Sequence, residues 1–172
     1  MRTWKRLYRA GGTYFFTVVT ARRDPWLDNP LHVQCLGAAL RETRASHPFS
    51  MLAFVVLPDH LHCMWALPDH DADFSLRWAL VKRRCSERVG AITPSLRNRP
   101  LWQPRFWEHH VRDERDFSRH IDYIHYNPVK HGCVAAPALW PWSSFTKFVR
   151  AGSYDARWGT VSPASVDGMC PE

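Results

Sequence analysis

Hydrophobic and polar positions change period several times along this chain, and each change marks a new element. After Gly11-Gly12, TYFFTVVT (13–20) is dense in aromatic and β-branched residues, which suits a strand. Asn29-Pro30 then opens a helical spacing. Proline fits the first helical turn, Leu31, Cys35, Ala38 and Ala39 share a face, and His47-Pro48 ends the run. FSMLAFVVLP (49–58) is almost unbroken apolar sequence, as in a buried strand, and HLHCMWAL (60–67) follows a tight Pro-Asp joint as its hairpin partner. A second helix is predicted over 74–89, with Phe74, Trp78, Val81 and Cys85 on one side and Gly90 as its stop.

Residues 91–104 are loop-like, and RFWEHHVR (105–112) is a candidate fourth strand. DFSRHIDYIHYN (116–127) predicts a helix with the apolar stripe Phe117, Ile121 and Ile124; Pro128 disfavours helical geometry at Asn127 and marks an end or kink. From 137 onward Pro, Trp and Ser accumulate. LWPWSSF (139–145) is expected to pack on the domain, with an irregular tail behind it. The order β-α-β-β-α-β-α predicts an α+β, ferredoxin-like split βαβ fold: an antiparallel sheet with helices on one face plus a C-terminal tyrosine-bearing helix. Such a fold says little about function by itself.

Composition narrows the partners. The 172 residues fit one domain, or one domain with a tail, and 45% apolar residues allow a proper core. Lys and Arg outnumber Asp and Glu by 23 to 16, a net charge of +7. That balance favours polyanions, nucleic acid before acidic membrane surfaces, although charge also serves solubility alone. The N-terminus MRTWKRLYRAGG lacks the apolar segment of a secretion signal, and no window reaches the roughly 18 apolar residues of a membrane span. The five cysteines form no CxxC pair, so neither a disulfide framework nor a zinc knuckle is expected. Free thiols suit a reducing, cytoplasmic setting.

The candidate chemistry begins with VVLPDHLHCMW (55–65). On a strand, His60, His62 and Met64 share one side, while Leu61, Cys63 and Trp65 take the apolar side that belongs against the core. With the first two helices covering one face of the sheet, the pair is expected on the other, accessible face. Two imidazoles at i and i+2 can present nitrogens to one divalent cation, and a catalytic site keeps positions open for substrate. Two exposed polar residues would look the same.

The last predicted helix places Tyr123 and Asn127 four residues apart on one face, with His120 on the same side. This polar stripe lies beside the apolar one, so the tyrosine hydroxyl is expected to stay free. A metal held by His60, His62 and the Asn127 side-chain oxygen would sit one turn from Tyr123. A phenol, with its pKa near 10, needs such help to attack a phosphodiester at neutral pH. The attack exchanges one ester for another, so strands can be rejoined without a nucleotide triphosphate. The alternative is that Tyr123 merely packs and Asn127 ends the helix.

Four stretches taken together resemble one family: GGTYFFTVVT (11–20), VVLPDHLHCMW (55–65), WQPRFWEH (102–109) and HIDYIHYNPVKHG (120–132). The sequence is similar to the single-tyrosine HUH transposases (His-hydrophobic-His), and within them to the REP-associated tyrosine transposases of bacteria. The resemblance covers about residues 5–148. It implies a transposase domain over 1–150 with an irregular tail over 151–172. It further implies that His60, His62 and Asn127 bind Mg2+ or Mn2+ and that Tyr123 is the nucleophile. Some relatives carry glutamine where Asn127 stands. Tyr126 is a rival nucleophile, disfavoured because no metal-ligand candidate follows it by four residues. The implied reaction is metal-assisted cleavage of single-stranded DNA at REP/BIME hairpins through a 5′-phosphotyrosine, followed by strand transfer or religation, by a monomer or a homodimer in the bacterial cytoplasm, associated with the nucleoid.

Other residues suit a DNA role. Lys82, Arg83 and Arg84 lie off the apolar stripe of the second helix, and Lys5, Arg6, Arg9, Arg22 and Arg23 form an N-terminal basic set; each is a phosphate contact or a solvated charge. Trp102, Arg105 and Trp107 can stack on unpaired bases, or pack in the core. Two other functions fit the same residues: a metal-dependent phosphodiesterase or ribonuclease using water, and a non-catalytic hairpin-binding module. The module would carry aromatics where His60 and His62 stand.

Overall fold

The computed structural model describes residues 7–169, so Lys5, Arg6 and Cys170 lie outside the described residues. Four strands, β1 (Thr13–Val19), β2 (Ser50–Val56), β3 (His60–Ala66) and β4 (Trp107–His110), form one sheet in the order β2-β3-β1-β4. Every neighbouring pair is antiparallel. With α1 (Pro30–Ser46) between β1 and β2, and α2 (Phe74–Ile92) between β3 and β4, this is the expected split βαβ arrangement. α3 (Glu114–Lys130) and the short α4 (Phe145–Arg150) complete the fold.

The central strands are apolar on both sides because both faces of the sheet are covered. Tyr14, Phe16 and Val18 of β1 and Leu61, Cys63 and Trp65 of β3 share a core with Val33 and Leu36 of α1 and Trp78 and Val81 of α2. Trp65 is stacked between Phe49 at 4.0 Å and Trp78 at 4.3 Å. The alternate residues, Phe15 and Met64, join Ala53 and Val55 of β2 against Ile121, Tyr123 and Ile124 of α3. The His60 side of β3 is therefore not accessible, as the sequence pattern suggests, but roofed by α3.

Several elements depart from their predicted bounds or faces. α1 buries His32, Val33, Leu36, Ala39 and Thr43, while Leu31 is exposed. The His32 ring sets that rotation, with Nδ1 2.6 Å from the Trp26 carbonyl oxygen and Nε2 2.7 Å from Thr93 Oγ1. A satisfied polar residue thus occupies a core position that periodicity assigns to an apolar one. α2 runs past Gly90, whose missing side chain instead admits Arg97: an added Cβ would lie 3.3 Å from the Arg97 Cα. β4 is only four residues long.

α3 continues through Pro128 to Lys130. Proline removes one N–H, and the helix closes two residues later with Gly132 in the left-handed region (φ 68°), where Cys133 N–H donates to the Pro128 carbonyl at 2.9 Å.

The C-terminal segment docks as expected. Val56 N–H donates to the Trp142 carbonyl at 2.8 Å and Ser144 N–H to the Phe54 carbonyl at 2.9 Å, which closes the open edge of β2. Beyond α4, Tyr154, Val166 and Met169 pack against the α3 layer, and Arg119 Nε donates to the Ser165 carbonyl at 2.9 Å. α3 is thereby held between its own sheet and its own C-terminal chain.

Candidate active site

The hairpin joint Leu57-Pro58-Asp59 delivers His60 and His62 to the α3 face, where they are 1% and 0% exposed. Each ring is gripped at Nδ1. His60 Nδ1 lies 2.6 Å from Asp59 Oδ1, and His62 Nδ1 lies 2.9 Å from Oγ1 of Thr17, its cross-strand partner. A carboxylate only accepts, so His60 carries its hydrogen on Nδ1 and turns Nε2 away from Asp59. The two Nε2 atoms are buried, and the ring centroids are 4.9 Å apart at 77°.

α3 supplies the roof. Its first turn is capped by the Asp113 side chain, which accepts from Asp116 N–H at 2.8 Å. Tyr123 and Asn127 of α3, and His131 at its C-cap, follow one another at a spacing of four along one side. The Tyr123 ring meets His62 at 5.2 Å, the His131 ring meets His60 at 4.9 Å, and Asn127 lies midway between them on the same helical face. Asn127 is completely buried, and neither its Oδ1 nor its Nδ2 has a hydrogen-bond partner.

An amide buried without partners costs about 1–3 kcal/mol. A cation accepting Oδ1 as a ligand offsets that cost. Two imidazoles and one carboxamide oxygen on converging faces fit a divalent ion with positions left open for substrate oxygens. The residues present therefore suit the metal that the spacing suggests.

Tyr123 differs from expectation. It is 1% exposed, and its hydroxyl is not free: Lys130 Nζ donates to it at 2.8 Å and lies 4.8 Å from the ring centroid. Phe15 forms a wall between the Tyr123 ring at 6.0 Å and the His120 ring at 4.8 Å. Tyr126 looks the other way, towards Gly159 in the C-terminal segment, where an added Cβ would come within 3.6 Å of its ring.

A second group with metal-ligand chemistry flanks this site. His109, Asp116 and His120 bring donor atoms within 4.8 Å of one another. Here the carboxylate is already engaged: Asp116 Oδ2 accepts from Arg112 N–H at 3.0 Å, Arg112 Nε at 3.2 Å and His109 Nε2 at 2.8 Å. Burial raises the Asp116 carboxyl, but these donors more than offset it and hold it at about 2. Burial also pushes the His120 imidazole below its usual value. The group ties β4 to the first turn of α3, one turn ahead of Tyr123.

The remaining sequence candidates scatter. Arg22, Arg23, Arg83 and Arg105 are exposed. Lys82 Nζ donates to the Gln103 carbonyl at 2.7 Å. Arg84 is engaged between the helices, donating to Thr43 Oγ1 at 2.8 Å and pairing with Glu42 at 3.1 Å. Trp102 is buried, edge-on to Trp26 at 4.9 Å, and Trp107 is half-buried, edge-on to Phe15 at 5.8 Å. Arg9 lines a polar pocket of about 420 Å³ with Tyr14, His109, His110 and Arg112.

Sequence reasoning missed Asp59, Thr17, Lys130 and His131. Lys130 and His131 stand seven and eight residues after Tyr123, a helical return that Pro128, which reads as the helix end, conceals. Thr17 carries no local signal; only strand register brings it to His62.

Comparison with known proteins identifies the family. The family described as "Transposase IS200 like" matches residues 10–126. A REP-associated tyrosine transposase of Escherichia coli K12 is 42% identical, covering 92% of this chain and 91% of that protein. A putative REP-associated tyrosine transposase of Haemophilus influenzae Rd is 36% identical over 98% of this chain and 99% of its own length. The solved structure of a REP-associated tyrosine transposase bound to a REP hairpin superposes with a TM-score of 0.83, at 38% identity and 99% coverage of both chains. With both cores, the histidine pair and the tyrosine helix on one scaffold, and relatives of this identity along nearly its whole length, the chain belongs to the IS200-like transposases and, among them, to the REP-associated tyrosine transposases.

Proposed function

We propose that this chain cleaves and rejoins single-stranded DNA at REP-type hairpins, with Tyr123 as nucleophile and His60, His62 and Asn127 as ligands of Mg2+ or Mn2+. The observation that carries this reading is the partnerless, fully buried Asn127 side chain, placed between Tyr123 over His62 and His131 over His60. The bound cation would polarise the scissile phosphate and neutralise charge on its oxygens. The chain's own groups do the rest. Tyr123 Oη forms a bond to phosphorus as the P–O3′ bond breaks, and the departing 3′ oxygen takes up a proton. The Lys130 ammonium, already at 2.8 Å, stabilises negative charge on the phenolic oxygen as its proton leaves. Attack by a 3′-OH on the phosphotyrosine reverses the sequence and joins strands.

Tyr123 is closed off from solvent, so a phosphodiester reaches it only when the last turn of α3, with Lys130 and His131, moves aside. Closure of this kind keeps water from the phosphotyrosine, which favours strand transfer over hydrolysis. Exposed Arg22, Arg83 and Arg105 are the proposed phosphate contacts, with Arg105 and Trp107 as stacking partners for bases, while the Arg23 guanidinium is already paired with Asp59. Among the described residues no helix is long and apolar enough to cross a membrane, which suits work on chromosomal DNA in the cytoplasm, at the nucleoid. The strapping of α3 by the C-terminal segment favours a monomer acting with its own tyrosine helix over a homodimer.

The test is cleavage of labelled hairpin DNA by the protein and by its Tyr123→Phe and Tyr126→Phe variants, each with Mg2+ or EDTA. Cleavage that needs Mg2+ and Tyr123, but not Tyr126, supports the proposal. Undiminished cleavage by Tyr123→Phe would mean that water is the nucleophile. Hairpin binding without any cleavage would leave a DNA-binding module.

A further inference from the structure

Resting on the metal reading of His60, His62 and Asn127, we infer that Asp59, clamped by Arg23, is the positioning residue of this centre, fixing the His60 ring so that Nε2 faces the cation. Asp59 is held at three points. Its carbonyl accepts from Thr20 N–H and from Thr20 Oγ1, both at 2.9 Å, and its Oδ2 accepts from the Arg23 guanidinium at 3.0 Å. Oδ1 is left for His60 Nδ1, at 2.6 Å. The carboxylate can neither rotate nor slide without breaking contacts on both sides of the joint between β2 and β3.

The loop that presents Arg23 is built for this grip. Arg22 and Arg23 both adopt left-handed backbone conformations, with φ 57° and 54°. Non-glycine residues seldom adopt that region, and two in succession persist only where the surroundings impose it. Here Ala21 N–H donates to the Leu101 carbonyl at 2.9 Å, Arg23 N–H to Thr20 at 3.2 Å and Asp24 N–H to Ala21 at 3.1 Å. The result brings one arginine, still partly exposed, onto a buried histidine's partner.

The chemistry follows from where the hydrogen sits. A carboxylate accepting Nδ1–H fixes the tautomer, leaves the lone pair on Nε2 and makes that nitrogen a stronger donor to a metal. Thr17 plays the matching part for His62 with a neutral hydroxyl. The two ligands are thus unequal, and removing the charge behind His60 should weaken the centre most.

The experiment is a Mn2+ titration followed by electron paramagnetic resonance, which reads the loss of the free-ion signal and needs no DNA or activity. It uses the whole protein and its Asp59→Asn, Arg23→Ala and His60→Ala variants, with metal-free melting recorded for each. Asp59→Asn should bind Mn2+ about 10–100-fold more weakly at a temperature where its metal-free form remains folded, and Arg23→Ala should lose a smaller factor. In parallel, nitrogen NMR of the metal-free protein should show His60 as the Nδ1–H tautomer, a readout that requires no variant to fold. Wild-type Mn2+ affinity in Asp59→Asn, with binding abolished by His60→Ala, overturns the role of Asp59 and leaves the metal centre standing. An Nε2–H tautomer at His60 overturns it as well. Absence of Mn2+ binding by the unaltered protein overturns both this inference and the metal reading beneath it.

Discussion

If Asn127 is the proposed metal ligand, stability and function conflict in one side chain. A buried carboxamide without partners makes the metal-free fold less stable than an apolar residue of the same shape would. Asn127→Leu should therefore raise metal-free stability by about 1–3 kcal/mol in urea denaturation, while Mn2+ affinity and DNA cleavage collapse. A loss of stability instead would mean that Asn127 is a satisfied structural residue. Local spacing puts the four proposed catalytic and ligand residues on shared faces, i and i+2 on a strand and i and i+4 on a helix, but it was the family resemblance that implied their roles. Their supports were not legible. Thr17 reaches His62 across 45 residues of chain through the register of β1 against β3, and Arg23 reaches Asp59 across 36 through the turn that follows β1, so neither carries a local signal.

Elements were legible where one force dominates. The strands of β1, β2 and β3 and the βαββαβ order follow from apolar density and turn chemistry. Misreadings arose where a second force intervened: His32, satisfied by two hydrogen bonds, turns α1 away from its apparent apolar face. Pro128 failed to stop α3 because Gly132 provides the stop. Gly132 has nothing within 4 Å of an added Cβ, so Gly132→Ala tests backbone strain alone. It should cost about 1–2 kcal/mol in urea denaturation.

The start of α2 makes a different prediction. Arg77, 1% exposed, donates to Asp71 Oδ2 and the Pro48 carbonyl, 2.7 and 2.8 Å away. Its hydrogen bond holds the Asp71 carboxyl at about 2. A depressed carboxylate stabilises the fold above the unfolded value near 3.9 and loses that contribution as pH falls towards 2. Asp71→Asn should therefore flatten the fall in stability between about pH 4 and 2 and lower stability at pH 7, both measurable by denaturation across pH.

At the scale of the molecule, the sheet is a partition. One face is ordinary core beneath α1 and α2; the other holds the proposed active site beneath α3, covered by the C-terminal chain. The net charge of +7 must then act from outside that cover, through exposed arginines. Each phosphate contact on a single strand contributes a slope of about −0.7 to log affinity against log salt. Arg22→Ala and Arg105→Ala should each make that slope shallower by about this amount. Arg84→Ala should leave it unchanged, because its guanidinium is already bound to Thr43 and Glu42. Equal effects from all three would mean that the arginines act only through overall charge.

The most direct test of the central claim is to find where DNA becomes attached. The protein is incubated with a single-stranded REP-type hairpin and Mg2+, digested, and the nucleotide-bearing peptide is sequenced by mass spectrometry. The account predicts a 5′-phosphotyrosine link at Tyr123, abolished by EDTA. A link at Tyr126, or hairpin cleavage with no protein–DNA link at all, would contradict it.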